Sequence, residues 1–327
     1  MPLRFQVAVL AGMILSPPGL FAITTSDPSS QYSAAPGSVF QGVAALSTAS
    51  GGFCSAALIA SNFLLTANHC VTPAGTPSNL TVTFGLANGG AAVYSVANFF
   101  TNGVLLPDFS NDIALVELTG NVASITPYSL GTSTLGQTIT LAGYGDSGQG
   151  TYIAGSYGTF HAGLNTLDGY WDGSTKTNVV NGSSYVLTAA GNALAFDFDS
   201  GSGNGSLGGG AVAGSAPQNE AMICYGDSGG PTFAGNAFAG GPLTIIGVND
   251  FISLPNPTDV SANSPQCTNS ASAAGYAGFG DIGGSTNVAA NLLWINSTIA
   301  AATAVPEPAS WGLLGIGLSG VLLRRRR

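Results

Sequence analysis

Positive charge is almost missing from this sequence. Only six of its 327 residues are Lys or Arg, and four of the six end the chain as Arg324 to Arg327. Between residues 23 and 304, fourteen acidic residues stand against the single basic residue Lys176, which gives this part a formal net charge of −13. A surface with that charge repels phosphate backbones and anionic lipid headgroups, so the composition excludes nucleic-acid binding.

Long hydrophobic runs are also missing from the interior. Charged residues make up only 6% of the chain, against about 25% in an ordinary soluble domain. Even so, no internal stretch approaches the ~18 consecutive apolar residues that a membrane-spanning helix needs. The 45% hydrophobic content, spread over short runs, favours a buried core and argues against disorder despite the 48 glycines. The length predicts one large domain or two lobes that share a core.

Residues 1–22 have the pattern of a secretory signal peptide. Arg4 precedes an apolar stretch from Val7 to Leu15, and two prolines and small residues follow up to Ala22. The prolines disfavour the alternative of a buried first helix. We therefore expect export, with cleavage by signal peptidase after Ala22.

The last 23 residues form a second processing signal. Val305-Pro306-Glu307-Pro308 leads into the mainly apolar stretch Trp311 to Leu323, and the four arginines follow. This arrangement resembles the PEP-CTERM sorting signal of Gram-negative bacteria, over residues 305–327. The resemblance implies a transient inner-membrane anchor that an exosortase-type enzyme cuts, with delivery to the cell surface, the outer envelope or the extracellular polysaccharide matrix. The apolar stretch is short for a full span and the arginines favour the cytoplasmic side; a permanent tail anchor is the alternative.

Between these ends, short runs rich in β-branched and aromatic residues alternate with turn residues. The clearest predicted strands are Leu80 to Phe84, Ala91 to Phe100, Ile113 to Leu118, Gln137 to Leu141 and Leu243 to Val248. A helical period occurs only over Val288 to Ala300, where residues 288, 292, 295 and 299 share one apolar face. The pattern predicts an all-β barrel or sandwich with one C-terminal helix. Gly148 to Gln218 is rich in Gly and Ser, and there we expect loops and extra hairpins.

Three motifs carry residues that acyl-transfer chemistry uses. His69 lies in LLTANHC (64–70), Asp112 in NDIALV (111–116) and Ser228 in CYGDSGGP (224–231). Their order, on an exported all-β chain, resembles the chymotrypsin-like (trypsin-fold) serine proteases over roughly residues 41–300.

The resemblance implies two six-stranded antiparallel Greek-key barrels. The N-terminal barrel, residues 23–130, would carry His69 and Asp112. The C-terminal barrel, residues 131–300, would carry Ser228 and a closing helix, and residues 301–304 would link it to the tail.

The expected roles follow from what peptide hydrolysis demands. Ser228 would be the nucleophile, His69 the general base and acid, and Asp112 the group that orients the imidazole and stabilises its charged form. The backbone amides of Gly226 and Ser228 would form the oxyanion hole. We expect a monomeric serine endopeptidase that cleaves protein or peptide substrates through an acyl-enzyme, with no cofactor and no metal.

Four cysteines in an exported chain allow three disulfide pairings, and their spacing alone does not choose among them. The family resemblance implies Cys54–Cys70, on either side of the histidine loop, and Cys224–Cys267, next to the nucleophile loop.

Two departures from the family pattern concern specificity. Six residues before the nucleophile, where trypsin-type enzymes carry an aspartate, this chain has Met222. Where the family has a Ser-aromatic-Gly strand that pairs with substrate, this chain has Asn249-Asp250-Phe251-Ile252, so Ile252 replaces the glycine. We therefore expect Met222, Phe251 and Ile252 to form a specificity pocket that does not select Lys or Arg.

A further departure concerns activation. Family members are commonly activated by a cut after Arg or Lys that frees an Ile or Val ammonium group to pair with the aspartate before the nucleophile, here Asp227. No basic residue lies between Arg4 and Lys176. Signal peptidase cleavage after Ala22 would instead expose Ile23, and we expect the Ile23 amine to pair with Asp227.

Two further features of the sequence have no predicted catalytic role. Gly145-Asp146-Ser147-Gly148 repeats part of the nucleophile motif without its second glycine, proline and preceding cysteine, so we interpret it as a turn. His161 has no companion motif, and we expect a surface or loop histidine.

The rival to an enzyme is a surface-anchored binding or adhesive module on a protease-like barrel. A lectin-like sandwich, or a calcium site on Asp197 and Asp199, has weaker support because two aspartates supply too few ligands.

Overall fold

The computed structural model describes most of the region between residues 23 and 304. The described residues are 23–25, 38–85, 92–105, 111–145, 148–149, 151–152, 158–171, 176–179, 182–185, 191–198, 220–253 and 282–304. The predicted signal peptide (residues 1–22), the predicted sorting tail (residues 305–327), Cys267 and Asp199 therefore lie outside them.

The first half of the chain forms a closed six-stranded barrel. Its strands are β2 (Val43–Thr48), β3 (Phe53–Ala60), β4 (Phe63–Thr66), β5 (Leu80–Phe84), β6 (Ala92–Thr101) and β7 (Ala114–Leu118). They pair antiparallel in the order β2-β3-β4-β7-β6-β5, and β5 returns to β2. Apolar side chains at alternate positions of β5 point into the barrel, as the period of a strand requires. Closure leaves no unpaired strand edge in this half.

The second half forms a larger curled sheet. Its strands are β8 (Ser129–Leu130), β9 (Thr138–Gly143), β12 (His161–Thr166), β13 (Gly169–Trp171), β16 (Ala193–Asp197), β18 (Pro231–Ala234), β19 (Thr244–Ser253) and β20 (Ile282–Asn287). The order is β12-β9-β18-β19-β20-β16-β13, and β8 adds parallel to β19. The predicted all-β class with a two-barrel architecture is confirmed. In the described residues the second barrel is an open sheet of eight strands.

Three short strand pairs complete the described β-structure. They are β1 (Thr24–Thr25) with β17 (Ala221–Met222), β10 (Gly148–Gln149) with β11 (Thr151–Tyr152), and β14 (Lys176–Val179) with β15 (Gly182–Tyr185). The hairpins expected between residues 148 and 218 are present. That stretch also contributes β12, β13 and β16 to the main sheet. These strands are buried although they contain Gly, Asn and Ala. They pair with other strands of the sheet: β12 with β9, and β16 with both β20 and β13.

Aromatic side chains fill the space between the two halves. The rings of Phe40 and Phe160 lie 5.2 Å apart, and those of Tyr128 and Phe233 lie 4.8 Å apart. The Tyr128 hydroxyl accepts from Gly42 N (3.1 Å) and donates to the carbonyl oxygen of Val39 (2.9 Å). One continuous apolar core therefore joins the barrel to the sheet.

The C-terminal helix α2 (Val288–Thr303) packs on this core. Asn287 caps it by accepting a hydrogen bond from Ala289 N (3.0 Å). Val288 and Ile295 are fully buried and residues 292 and 299 are partly buried, whereas Leu293 on the other face is 84% exposed. The predicted helical face is thus confirmed, and the helix continues over most of the 301–304 stretch that we expected to be a linker.

No helix in the described part of the chain has the length and apolar character needed to cross a membrane. The predicted anchor, residues 305–327, lies outside that part.

Candidate active site

His69 lies just after the end of β4, on the short helix α1 (Asn68–Val71). The Thr66 hydroxyl donates to the carbonyl oxygen of Ser55 (2.7 Å) and fixes the chain before the turn. Cys70 forms a disulfide with Cys54 on β3, as predicted. The histidine is therefore held from both sides by groups on the neighbouring strand.

Asp112 lies in the segment between β6 and β7 and points at His69. Its Oδ1 accepts from the backbone N–H of His69 (2.8 Å), and its Oδ2 bonds directly to Nδ1 of the ring. Burial raises the pKa of Asp112, but hydrogen bonds from the His69 ring, from Asp250 and from the His69 backbone, together with the attraction of the imidazole, outweigh it and lower the pKa below its usual value. Asp112 is therefore held as a carboxylate that fixes the ring orientation.

Ser228 lies in the loop between β17 and β18, which packs against the first barrel. Its carbonyl oxygen accepts from Ser55 N (2.8 Å), and the next amide, Gly229 N, donates to the carbonyl oxygen of Asn249 on β19 (2.8 Å). Gly229 has φ 82°, and a Cβ there would lie 2.1 Å from Thr66 Oγ1. Only glycine fits this position, so the loop is fixed between the two halves of the molecule.

His69 and Ser228 line the same cavity, which has a volume of about 510 Å³. Its wall also includes the Cys54–Cys70 disulfide, Gly226 and Asp250. The first barrel supplies the histidine and the second sheet supplies the serine, so the cavity lies where the two halves meet.

The nucleophile loop carries two amides that face no acceptor within the described residues. The neighbouring amides of Asp227, Gly229 and Gly230 donate to backbone carbonyls, whereas no hydrogen bond from the N–H of Gly226 or Ser228 occurs in the described part of the chain. Gly226 has φ 92°, a conformation that glycine adopts readily.

Sequence analysis missed a residue of this site, Asp250. It lies on β19 and is 7% exposed; its Oδ1 is 3.8 Å from His69 Nδ1, and its Oδ2 accepts from Thr286 Oγ1 (3.1 Å). Burial, the hydrogen bond to Asp112 and the negative charge of Asp112 raise the pKa of Asp250 well above its usual value. The sequence could have indicated this residue, because Asp250 occupies the position where the family pattern has a serine.

Two clusters of potential metal ligands occur among the described residues, and both include His69. Cys54 and Cys70 are joined in a disulfide and offer no thiolate. In the other cluster, with Asp112 and Asp250, the direct contact between the His69 ring and Asp112 leaves no space for an ion between them.

The two residues expected to pair on activation both lie beside residues 222–224. Ile23 is buried in one apolar cluster with Met222, Ile223 and Cys224, and β1 pairs with β17 so that Thr24 lies opposite Met222. Asp227 is fully buried, and its carboxylate accepts from Gly145 N (2.9 Å) and Cys224 N (2.8 Å).

For the predicted pocket residues, the structure gives the burial of Met222 and the strand register of Phe251 and Ile252. Met222 is fully buried beneath the nucleophile loop, packed near Phe196 and Gly283. Phe251 and Ile252 lie on β19, opposite Gly284 and Gly283. Cys224 is disulfide-bonded; its predicted partner Cys267 lies outside the described residues.

One minor prediction is wrong. His161 is 4% exposed at the start of β12, opposite Gly143 on β9, and is not a surface histidine. Strand pairing with a distant segment buries it, and its local sequence gave no sign of that. The partial copy of the nucleophile motif follows β9, with Asp146 and Ser147 outside the described residues.

Comparison with known families agrees with this geometry. Residues 29–272, about three quarters of the chain, match the Trypsin family, and residues 304–327 match the PEP-CTERM protein-sorting motif. A search of curated proteins finds no match. The chain therefore belongs to the trypsin family of serine proteases and ends in a PEP-CTERM sorting motif.

Proposed function

We propose that this protein is an exported serine endopeptidase that cleaves peptide bonds through His69, Asp112 and Ser228. The observation that carries the proposal is the direct contact between the buried Asp112 and the His69 ring, on a cavity whose wall also holds Ser228. Belonging to the family is not sufficient, because it includes inactive members. Here every residue type that the reaction needs is present.

The proposed reaction has two halves. The Ser228 hydroxyl oxygen adds to the substrate carbonyl carbon and its proton passes to Nε2 of His69. The tetrahedral intermediate collapses when His69 returns the proton to the leaving amine, which leaves an acyl group on Ser228. Water then repeats the sequence and releases the acid. The amides of Gly226 and Ser228 would stabilise the oxyanion in both halves.

A fluorophosphonate probe tests the nucleophile directly. We expect covalent labelling of the mature protein at one serine, and loss of labelling in Ser228→Ala. Ser297→Ala, on the exposed face of α2, is the matched control and keeps the labelling. A mature, folded protein that does not react would reject the protease and favour the binding or adhesive module.

We further propose a preference for small or apolar residues before the cut bond. Met222, fully buried at the position of the family's selecting aspartate, supplies no counter-charge for Lys or Arg. A peptide-library profile checks this, and a profile dominated by Lys or Arg would overturn it.

We propose that signal peptidase generates the active form. Ile23 has φ 49°, which is unfavourable for a β-branched residue. A cut after Ala22 removes the preceding peptide unit and with it this restriction, and frees an amine beside the loop that carries Asp227. N-terminal sequencing of active protein should begin at Ile23; a start well beyond Ile23 would contradict the proposal.

The tail is proposed to be a transient anchor. The PEP-CTERM match supports export from a Gram-negative cell with exosortase-type processing near residue 305. Mass spectrometry of protein recovered from the cell surface should find a chain without residues 311–327. A full-length tail in the surface-bound protein would support a permanent anchor.

A further inference from the structure

Asp250 lies at an irregularity in the sheet. Strands β19 and β20 pair in regular register until Asn249 lies opposite Ser285, and then Phe251 lies opposite Gly284, so Asp250 is the extra residue of a bulge. Bulges redirect side chains and are frequent next to active sites. This bulge directs the Asp250 carboxyl group into the cluster formed by His69 and Asp112.

Three titratable groups meet in this cluster. His69 comes from α1, Asp112 from the segment before β7 and Asp250 from β19, and their ligand atoms all lie within 4.8 Å of one another. β20 contributes Thr286, whose hydroxyl lies 3.1 Å from Asp250 Oδ2 and 3.2 Å from the carbonyl oxygen of Asp112. Tyr225 lines the same cavity.

The two carboxyl groups cannot both carry a charge at this separation. Both are buried, and two like charges at such a distance in a region of low dielectric repel strongly. The donors around the two groups are unequal. Asp112 accepts from the backbone N–H of His69 and contacts its ring, whereas Asp250 accepts from Thr286 at Oδ2 and has no donor at Oδ1 among the described protein groups. The negative charge therefore belongs on Asp112 and the proton on Asp250.

We propose that Asp250 is a positioning residue: a neutral carboxylic acid that donates a hydrogen bond to the Asp112 carboxylate and holds it against His69. The opposite pKa shifts of the two aspartates support this distribution. The inference rests on the proposed function and adds a fourth residue to its machinery.

Neutrality of Asp250 has a consequence for the histidine. An ionised Asp250 would place a second negative charge 3.8 Å from Nδ1 and would stabilise the imidazolium. The ring would then stay protonated to higher pH and serve less well as a base. A neutral acid retains the hydrogen bond without adding this charge.

The charge state of Asp250 can be tested without an activity measurement, in the Ser228→Ala variant. The chain has only two histidines. In a ¹⁵N NMR titration, the histidine whose titration midpoint changes in Asp112→Asn is assigned as His69. Asp250→Asn keeps a neutral side chain with an N–H donor, so the titration midpoint of His69 should stay within about 0.3 pH units of the parent. A fall of about one pH unit or more, absent from the control Glu117→Gln, would show that Asp250 is ionised and overturn the inference.

The positioning role is tested by kinetics in the active protein. Asp250→Leu keeps the branching of the side-chain heavy atoms, although its methyl groups are larger than the oxygens, and it cannot donate; we expect kcat/KM to fall about tenfold or more. Asp250→Asn and Asp250→Ser, which can donate, should recover most of that loss. Parental kcat/KM in Asp250→Leu would reject the role; if that variant does not fold, Asp250→Ala replaces it under the same criterion.

Failure of the proposed protease function can be distinguished from failure of the inference about Asp250. If the unsubstituted protein does not react with fluorophosphonate, the proposed protease function fails, while the NMR titration still decides where the proton lies. If it reacts and Asp250→Asn shifts the titration, only the inference fails.

Discussion

The two ends of the His69–Asp112 pair differ in their exposure to solvent. Asp112 is fully buried, whereas the His69 side chain is 35% exposed and borders the cavity. The buried end accepts hydrogen bonds at both carboxylate oxygens, so Asp112 can neither rotate nor exchange with water. The exposed end is free to meet a substrate. This asymmetry makes the geometry of Asp112 a determinant of which ring nitrogen of His69 carries a proton.

Asp112→Asn should therefore abolish most of the activity while preserving the fold. The amide oxygen would remain at the Oδ1 position to accept from His69 N, which turns the NH₂ group toward Nδ1. His69 must then carry its proton on Nε2 and cannot accept the proton of Ser228. We expect kcat to fall about 10³–10⁴-fold, measured on a peptide substrate. Asp168→Asn, outside the cavity, is the control, and a loss below tenfold in Asp112→Asn would argue against the assigned role.

Asp250 predicts a pH dependence of stability with a definite sign. Its pKa is raised in the folded protein, so above its ordinary pKa of about 4 the folded chain holds a proton that the unfolded chain has lost. The free energy of unfolding then falls as pH rises, by up to about 1.4 kcal/mol per pH unit, until the raised pKa is passed.

Comparison of Ser228→Ala with Ser228→Ala/Asp250→Asn by urea unfolding at pH 4.5, 5.5 and 6.5 isolates this effect. The single variant should lose stability relative to the double variant as pH rises. The contribution of Asp112 has the opposite sign, since its lowered pKa gives stability that is lost only in acid. Parallel pH curves for the two proteins would contradict the prediction.

Among the elements, the nucleophile loop packs closely against the first barrel on one side and against the end of β9 on the other. Gly229, Gly143 and Gly145 each lie where an added Cβ would meet another atom within 2.5 Å. Gly143 and Gly145, at the end of β9, therefore have a structural function, because Gly145 N donates to Asp227 and the two glycines leave room for its carboxylate. The loop conformation is a property of three chain segments together.

Gly229→Ala tests this dependence against a matched glycine. Gly229 and Gly235 have similar positive φ values, 82° and 78°, but nothing lies within 4 Å of a Cβ at Gly235. Gly235→Ala should cost only the backbone strain, about 1 kcal/mol, and keep fluorophosphonate labelling. Gly229→Ala adds steric overlap, and we expect about 2–4 kcal/mol of lost stability and loss of labelling. Equal behaviour of the two variants would show that the loop adapts.

Local pattern predicted the elements where packing repeats a simple period. β5 has the predicted bounds, and β6, β7, β9 and β19 begin within one residue of the predicted positions. Between residues 148 and 218 the pattern predicted loops and hairpins but not the strands β12, β13 and β16 of the main sheet. There β12 consists mainly of small and polar residues, and β16 alternates alanine with larger side chains; both are stabilised by pairing with β9 and β20 and by buried contacts. Asn165, for example, donates to the carbonyl oxygens of Asp197 and Ala221.

The whole molecule carries a strongly negative net charge. The formal charge of −13 between residues 23 and 304 should attract cationic peptides toward the cavity that His69 and Ser228 line, independently of the pocket proposed to select the residue before the cut. Charge far from the scissile bond therefore affects association, while the pocket affects recognition.

Matched peptides separate these effects. Two peptides with one cleavage sequence, flanked at a distance by Lys or by Glu, should differ in kcat/KM by about tenfold in favour of Lys at low ionic strength. The difference should vanish near 0.5 M salt, because screening shortens the reach of the field. A preference that persists at high salt would indicate a specific contact. A peptide with neutral flanks is the control.

Composition and short motifs were sufficient to predict the scarcity of positive charge, the strand-rich class, the PEP-CTERM tail and the ordered His, Asp and Ser motifs. The family resemblance added the Cys54–Cys70 disulfide. Tertiary structure alone decided which distant groups meet. The contact of His69 with Asp112, the burial of His161 and the place of Asp250 in the site depend on strand register, on one bulge and on the closure of a barrel. Those features are set by packing between segments far apart in the chain, which no local pattern contains.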